Sequence, residues 1–137
     1  VLNVRKLTGH EPFLVHFGDD LLIPLKGSNP LLRLKKIFNN MEAEAALTMM
    51  EVKDPSRYGI AFCEKIGGDI YKVYRIEEKP STPRSNFAIV SNFMFKPSIY
   101  ECIERVGVDN KLREVLLTAA IEALIEDGKD GVRWKKV

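Results

Sequence analysis

A chain of 137 residues is the size of one domain and long enough for a single sizeable core. With 45% apolar and 29% charged residues it has the composition of a folded globular protein, not of a disordered one. A formal charge of +2, carried by dispersed basic residues, leaves no stripe for nucleic acid, and no apolar run approaches bilayer length.

No membrane or nucleic-acid partner is therefore expected, and without a leader-like segment before the first strand the expected location is cytoplasmic. The chain opens on Val1 almost directly before an apolar strand, so it is expected to be part of a longer polypeptide. Cys63 and Cys102 are too far apart for a CxxC site and too few for a zinc framework, and are expected to be reduced structural thiols.

In chain order, Phe13–Phe17 is a short apolar run ending at Gly18 and predicts a buried parallel strand. Asn29-Pro30 predicts a helix start with proline at the first helical position. Leu31, Leu32, Leu34 and Ile37 form its core stripe, Arg33, Lys35 and Lys36 its wet face, and Asn39-Asn40 its end. Ala45–Val52 predicts a central strand and Asp54-Pro55-Ser56 a turn.

Tyr58–Cys63 and Ile70–Ile76 read as two strands joined through Gly67-Gly68-Asp69, where glycine supplies the positive φ a tight hairpin needs. A loop over Pro80–Pro83 precedes a strand over Phe87–Phe95. Pro97 opens a helix to about Val106, with Ile99, Cys102, Ile103 and Val106 inward. A longer helix is predicted over Arg113–Asp127, with Leu116, Leu117, Ala120, Ile121, Leu124 and Ile125 at helical spacing, closed by Gly128. Val132–Val137 is a last strand, with Trp134 as an edge-packing residue. Strands alternate with helices before a hairpin interrupts them, which predicts an α/β fold: a Rossmann-like mixed sheet with flanking helices, all in one domain over residues 1–137.

Two polar segments close apolar runs. Gly18-Asp19-Asp20 follows the first strand, and Glu78-Lys79-Pro80 follows the alternating run that ends at Ile76. Ligands of open α/β sheets settle in the crevice at the carboxyl ends of strands. A carboxylate, an ammonium and a candidate metal ligand at such ends suit a phosphorylated polar substrate with a divalent ion. His10 and His16 have no carboxylate or cysteine at ligand spacing and are read as structural.

Taken in order, Gly18-Asp19-Asp20, Ser56-Arg57-Tyr58-Gly59, Glu78-Lys79-Pro80, Ser85-Asn86 and Glu114 with Leu117-Thr118 resemble the sugar-1-phosphate nucleotidyltransferases. The nearest likeness within that family is to the bacterial-type UTP–glucose-1-phosphate uridylyltransferases. Each motif alone is weak, and the specificity lies in five of them in order. The resemblance runs from about Gly9 to the C-terminus and covers the middle and later part of the family's catalytic domain. It implies an incomplete nucleotidyltransferase domain of glycosyltransferase-A-like architecture.

It also implies the reaction. A sugar-1-phosphate oxygen attacks the α-phosphorus of a nucleoside triphosphate, with UTP and glucose-1-phosphate the expected pair, and pyrophosphate leaves. Mg²⁺ is the implied cofactor, because it binds carboxylate together with phosphate oxygens. By position in the motifs, Asp19 rather than Asp20 is the metal ligand, and Asp19 and Lys79 are the catalytic residues. Glu78 accepts sugar hydroxyls while Lys79 meets the phosphate, which requires the backbone to turn between them, since adjacent strand residues face opposite ways. Tyr58-Gly59 offers a main chain close to a sugar, Asn86 and Ile89 line its pocket, and Glu114 receives further hydroxyls. Each has a plainer competing role: a loop Asp bonding local amides, a solvated Glu–Lys pair, a turn glycine, buried strand residues, a first-turn helix acid.

The sequence departs from the family in three respects. Nothing matches its Gly-rich triphosphate loop, and the strand with its second metal-binding Asp would lie past Val137. Ala119 and Ser91 stand where Asp and Gly are usual. The chain alone is accordingly expected to turn over slowly or not at all and to associate into a homo-oligomer. A degenerate sugar-nucleotide-binding or assembly subunit is the alternative.

Overall fold

The computed structural model describes residues 1–19, 23, 29–109, 114–128 and 132–136, with backbone alone at Ser91 and across 132–136. Its strands are β1 (Phe13–His16), β2 (Ala45–Glu51), β3 (Gly59–Gly67), β4 (Ile70–Glu78), β5 (Phe87–Phe95) and β6 (Val132–Lys136). Its helices are α1 (Arg5–Thr8), α2 (Pro30–Asn40), α3 (Ser98–Val106) and α4 (Leu117–Asp127). Asp20 and Arg113 fall outside the described residues.

The strands form one sheet in the order β1–β5–β2–β6–β4–β3, and it curls far enough for Ile60 of β3 to pair again with Ala88 of β5. Among the described pairs β2 and β6 run parallel and the rest antiparallel, a mixed sheet as expected. The hairpin is as predicted, with Gly68 at φ +52° between β3 and β4. Two expectations are corrected. The Phe13–His16 strand is neither buried nor parallel: it lies antiparallel to β5 at the edge, with alternate residues exposed. Four apolar residues cannot distinguish a covered central strand from a half-wet edge. Trp134 lies in β6, which runs between β2 and β4, so its backbone position is internal rather than at an edge.

Helix α2 starts as predicted. Asn29 accepts hydrogen bonds from the backbone N–H groups of Leu31 (2.9 Å) and Leu32 (3.2 Å), with Pro30 at the first position. Its buried stripe is Leu34, Ile37 and Phe38, of which Leu34 and Phe38 pack with Ala43, Ala46 and Met94 on one face of the sheet. Leu32 is 66% exposed, because two residues before Leu34 is about 200° around the helix from that stripe. The opposite face carries the main core, where Leu47, Met49, Ala61, Val73, Ile76, Phe93 and Phe95 meet α3 and α4.

Helix α4 is shorter than its apolar spacing predicts. It begins at Leu117, and Glu114 precedes it in an isolated bridge, Asp109 N–H donating to the Glu114 carbonyl at 2.9 Å. Glu114 is thus not a first-turn helix acid. Ala120, Ile121, Leu124 and Ile125 are buried as expected. A polar fastening accompanies them: the Ile76 N–H of β4 donates to the Glu122 carboxylate on α4. Burial pushes the Glu122 carboxyl pKa up, aided by Glu126 and Glu77 and opposed by the Ile76 N–H and Arg75.

A carboxyl whose folded-state pKa lies above its unfolded value stabilises the fold in its protonated form, and that contribution is lost as pH rises through the folded value. Glu122→Gln keeps an oxygen acceptor for Ile76 and never ionises. Thermal melts should place this variant above the wild type at about pH 7, the gap closing toward about pH 4. A variant melting below the wild type at both would mean that the ionised carboxylate is needed.

Candidate functional site

The β3–β4 ladder ends with Gly59 opposite Glu78, which sets a residue without a Cβ beside a carboxylate. Thr118, in the first turn of α4, closes over this pair and donates its hydroxyl to Glu78 Oε2 at 2.7 Å. A Cβ on Gly59 would lie 2.7 Å from Thr118 Cγ2, closer than such atoms approach, and a tight 3.2 Å from Glu78 Oε2. Glycine is thus what lets the helix start sit on the strand. Beside this corner opens a cleft of about 340 Å³, lined by Gly59, Glu78 and Thr118, by Ile89 and Phe93 of β5, by Phe17 after β1, and by the approach to α4 from Glu114 to Leu117.

Immediately after Glu78 the backbone turns. Lys79 has φ +40°, a conformation rare for a side-chain-bearing residue, and Pro80 behind it disfavours the right-handed helical alternative. The turn is tied down by Lys79 N–H donating to the Tyr58 carbonyl at 3.0 Å. Its ammonium stands 3.8 Å from Glu78 Oε1, with 58% of the Lys79 side chain and 25% of the Glu78 side chain exposed. The corner between the Pro80–Pro83 loop and β5 is braced by Ser85, which donates to the Ala61 carbonyl at 2.8 Å and accepts from Phe87 N–H at 3.3 Å.

Of the residues singled out from sequence, Gly59, Glu78, Ile89 and Glu114 line the cleft and Lys79 stands beside Glu78. Tyr58 and Asn86 do not line it. Tyr58 contributes its carbonyl to the Lys79 turn, and Asn86 is exposed with its carbonyl bonded to Val52 N–H at 2.9 Å. Asp19 is exposed on the turn after β1, two residues beyond the cleft-lining Phe17, and is not part of the lining. Among the described residues no three His, Cys, Asp or Glu side chains gather as a metal set. The residue that sequence reasoning passed over is Thr118: it lay within a quoted motif, but its reach to a strand forty residues earlier leaves no local signal.

Fold and cleft together are those of a mixed α/β domain with a carboxylate-lined crevice at a strand end. The chain belongs to the nucleotidyl transferase family, whose model matches residues 1–136. Over 131 residues it is 31% identical to a UTP–glucose-1-phosphate uridylyltransferase of Pseudomonas aeruginosa, covering 93% of this chain and 47% of that protein. It is 29% identical over 130 residues to a glucose-1-phosphate thymidylyltransferase of Streptomyces antibioticus, covering 95% of this chain and 34% of that protein. Among solved structures, a UDP-glucose pyrophosphorylase complexed with UDP-glucose superposes with a TM-score of 0.90 at 23% identity, covering 99% of this chain and 52% of that one. A UTP-bound enzyme of the same kind from Acinetobacter baumannii gives 0.82 at 25% identity, covering 99% and 47%. The chain spans about half the length of the uridylyltransferases it matches.

The Gly59 corner can be tested by relieving the collision it avoids. Gly59→Ala should cost about 1–3 kcal/mol in urea unfolding, the usual penalty of overpacking. Adding Thr118→Ser, which removes the methyl but keeps the hydroxyl for Glu78, should restore most of it. An undiminished loss in the double variant would place the strain elsewhere.

Proposed function

We propose that this chain supplies the sugar-phosphate site of an enzyme that transfers a nucleotidyl group from a nucleoside triphosphate to a sugar-1-phosphate. UTP and glucose-1-phosphate are the substrates, and the products are a nucleotide sugar and pyrophosphate. The observation that carries this reading is the corner of Gly59, Glu78 and Thr118, which lines one cleft together with Glu114 and an apolar wall. A cleft of about 340 Å³ is near the small end for ligand pockets and suits a hexose better than a whole nucleotide sugar. The two relatives named above differ in the nucleotide and share glucose-1-phosphate, which agrees with a chain that carries the sugar end of the reaction.

Thr118 occupies one oxygen of Glu78 and fixes the carboxylate plane, leaving lone pairs for vicinal sugar hydroxyls. Gly59 lets Thr118 seat against Glu78, while Ile89, Phe93 and Phe17 take the apolar face of the sugar ring. Lys79, turned out of the strand and largely hydrated, meets the sugar phosphate as a point charge. A phosphate oxygen then forms a bond to the α-phosphorus as the bond to pyrophosphate breaks, and the leaving group takes that electron pair. Such a displacement depends on alignment and charge neutralisation more than on an activated side chain.

Asp19 would hold Mg²⁺. An exposed carboxylate fits this ion, which takes one or two carboxylates together with waters and substrate phosphates, and when bound it would offset phosphate charge.

Thermal shift separates this reading from others. UDP-glucose should raise Tm, with about 2.7 kcal/mol of stabilisation at a hundredfold excess over Kd, and UTP should raise it less. Glu78→Gln and Lys79→Ala should each reduce the shift. If UDP-glucose gave no shift while UTP did, the cleft would not be a sugar site.

A further inference from the structure

Among the described residues the buried polar side chains are Thr48 and Asn92, and they meet at one irregularity of the sheet. Along β2 and β5, Leu47 is opposite Phe93 but Thr48 is opposite Val90, so Ser91 and Asn92 bulge from the ladder. Thr48 Oγ1 fills the gap, donating to the Val90 carbonyl at 3.2 Å with the Asn92 carbonyl at 3.5 Å. Bulges redirect side chains and concentrate beside functional sites. On the other side of β5, Asn92 pairs with His16 at the end of the β1 ladder, and Asn92 Oδ1 lies 2.7 Å from His16 Nδ1. Its Nδ2, fully enclosed, has no hydrogen-bond partner among the described residues.

A buried amide with an unmade hydrogen bond costs stability, whereas an apolar residue of that size would not. Stability alone therefore does not explain Asn92. What it does accomplish is to hold His16. An amide oxygen only accepts, so Nδ1 of His16 carries the proton in this bond. His16 is the last residue of β1. The next residue, Phe17, turns to the opposite face, lines the cleft and meets Phe93 with ring centroids 5.7 Å apart, and Asp19 follows two residues later.

We infer that Asn92 is a positioning residue: through His16 it sets where β1 ends, and so the placement of Phe17 in the cleft wall and of Asp19 on the turn beyond it. This rests on the reading of the cleft given under Proposed function. Thr48 supports it from the other side by bracing the bulge between the cleft residues Ile89 and Phe93.

The test combines UDP-glucose titration with NMR on the full chain. Asn92→Leu should weaken UDP-glucose binding roughly five- to tenfold, as expected for one lost aligning hydrogen bond. Tm should hold or rise, and the Phe17–Asp19 amide signals should move. His16→Leu, which leaves the core intact, should reproduce the weakening and the signal changes. Asn92→Asp, which keeps the acceptor, should bind as the wild type does. Long-range ¹H–¹⁵N spectra should find the His16 proton on Nδ1. A proton on Nε2, a His16→Leu variant that binds normally with unmoved Phe17–Asp19 signals, or an affinity loss that merely tracks Tm would each overturn the inference. Should the wild type itself not bind UDP-glucose, the sugar-site reading falls, while the tautomer and the Phe17–Asp19 signals still decide the positioning role.

Discussion

Glu78 keeps its place because Thr118 reaches over the bare backbone of Gly59 to donate a hydroxyl to it. That contact joins three levels of the molecule. It needs a hairpin register with Gly59 opposite Glu78, a helix that starts near Thr118, and a residue without a Cβ between them. A one-residue slip of the register would send every side chain of β4 to the other face and dissolve the corner. The helix cannot drift either. Ala120, Ile121 and Leu124 bury it against the sheet, and Glu122 takes the Ile76 N–H of the strand that carries Glu78.

Two ladder irregularities determine what the cleft contains. In a regular strand Val73 and Glu78, five residues apart, would point to opposite faces. Between β3 and β4 the register passes from Phe62 opposite Arg75 to Cys63 opposite Val73, so Tyr74 is an extra residue. That single insertion changes the parity. Val73 and Ile76 can both enter the core, and Glu78 follows Ile76 to the same side, where the cleft lies. The second irregularity, at Ser91-Asn92, separates Ile89 from Phe93 and gives the strand a bend where both must line one hollow. Bulges of this kind are features that aim side chains, not defects in pairing.

What sequence made legible follows from the range of each interaction. The limits of β5, the start of α2 at Asn29-Pro30 and the Gly68 turn were readable because alternation, capping and positive φ are written within a few neighbouring residues. The need for a backbone turn at Lys79 was readable from Pro80 and from strand geometry. The neighbour of β1 was not, since pairing is a property of two distant segments. The start of α4 was not, because Leu116 continues its apolar spacing although it serves as part of the cleft wall. Thr118, Glu122, Thr48 and Asn92 act through partners far away in sequence, and no local pattern separates them from ordinary helix or strand residues.

The charges in and beside the cleft impose a direction on any ligand with hydroxyls at one end and phosphate at the other. Glu78 and Glu114 make the lining anionic, so a phosphate placed deep between them would be repelled. Lys79 stands at the side of Glu78 rather than buried beneath it, and an ion pair so hydrated at 3.8 Å contributes little to stability. Its ammonium is therefore available to an incoming anion at small cost. Under the proposed reading, hydroxyls go to the carboxylates and phosphate to the turn at Lys79. Pro80 and the Tyr58 carbonyl hold that turn in a conformation a side-chain-bearing residue rarely adopts. Strain at such a position persists only where its surroundings over-determine it, and here they do so directly beside the cleft-lining Glu78.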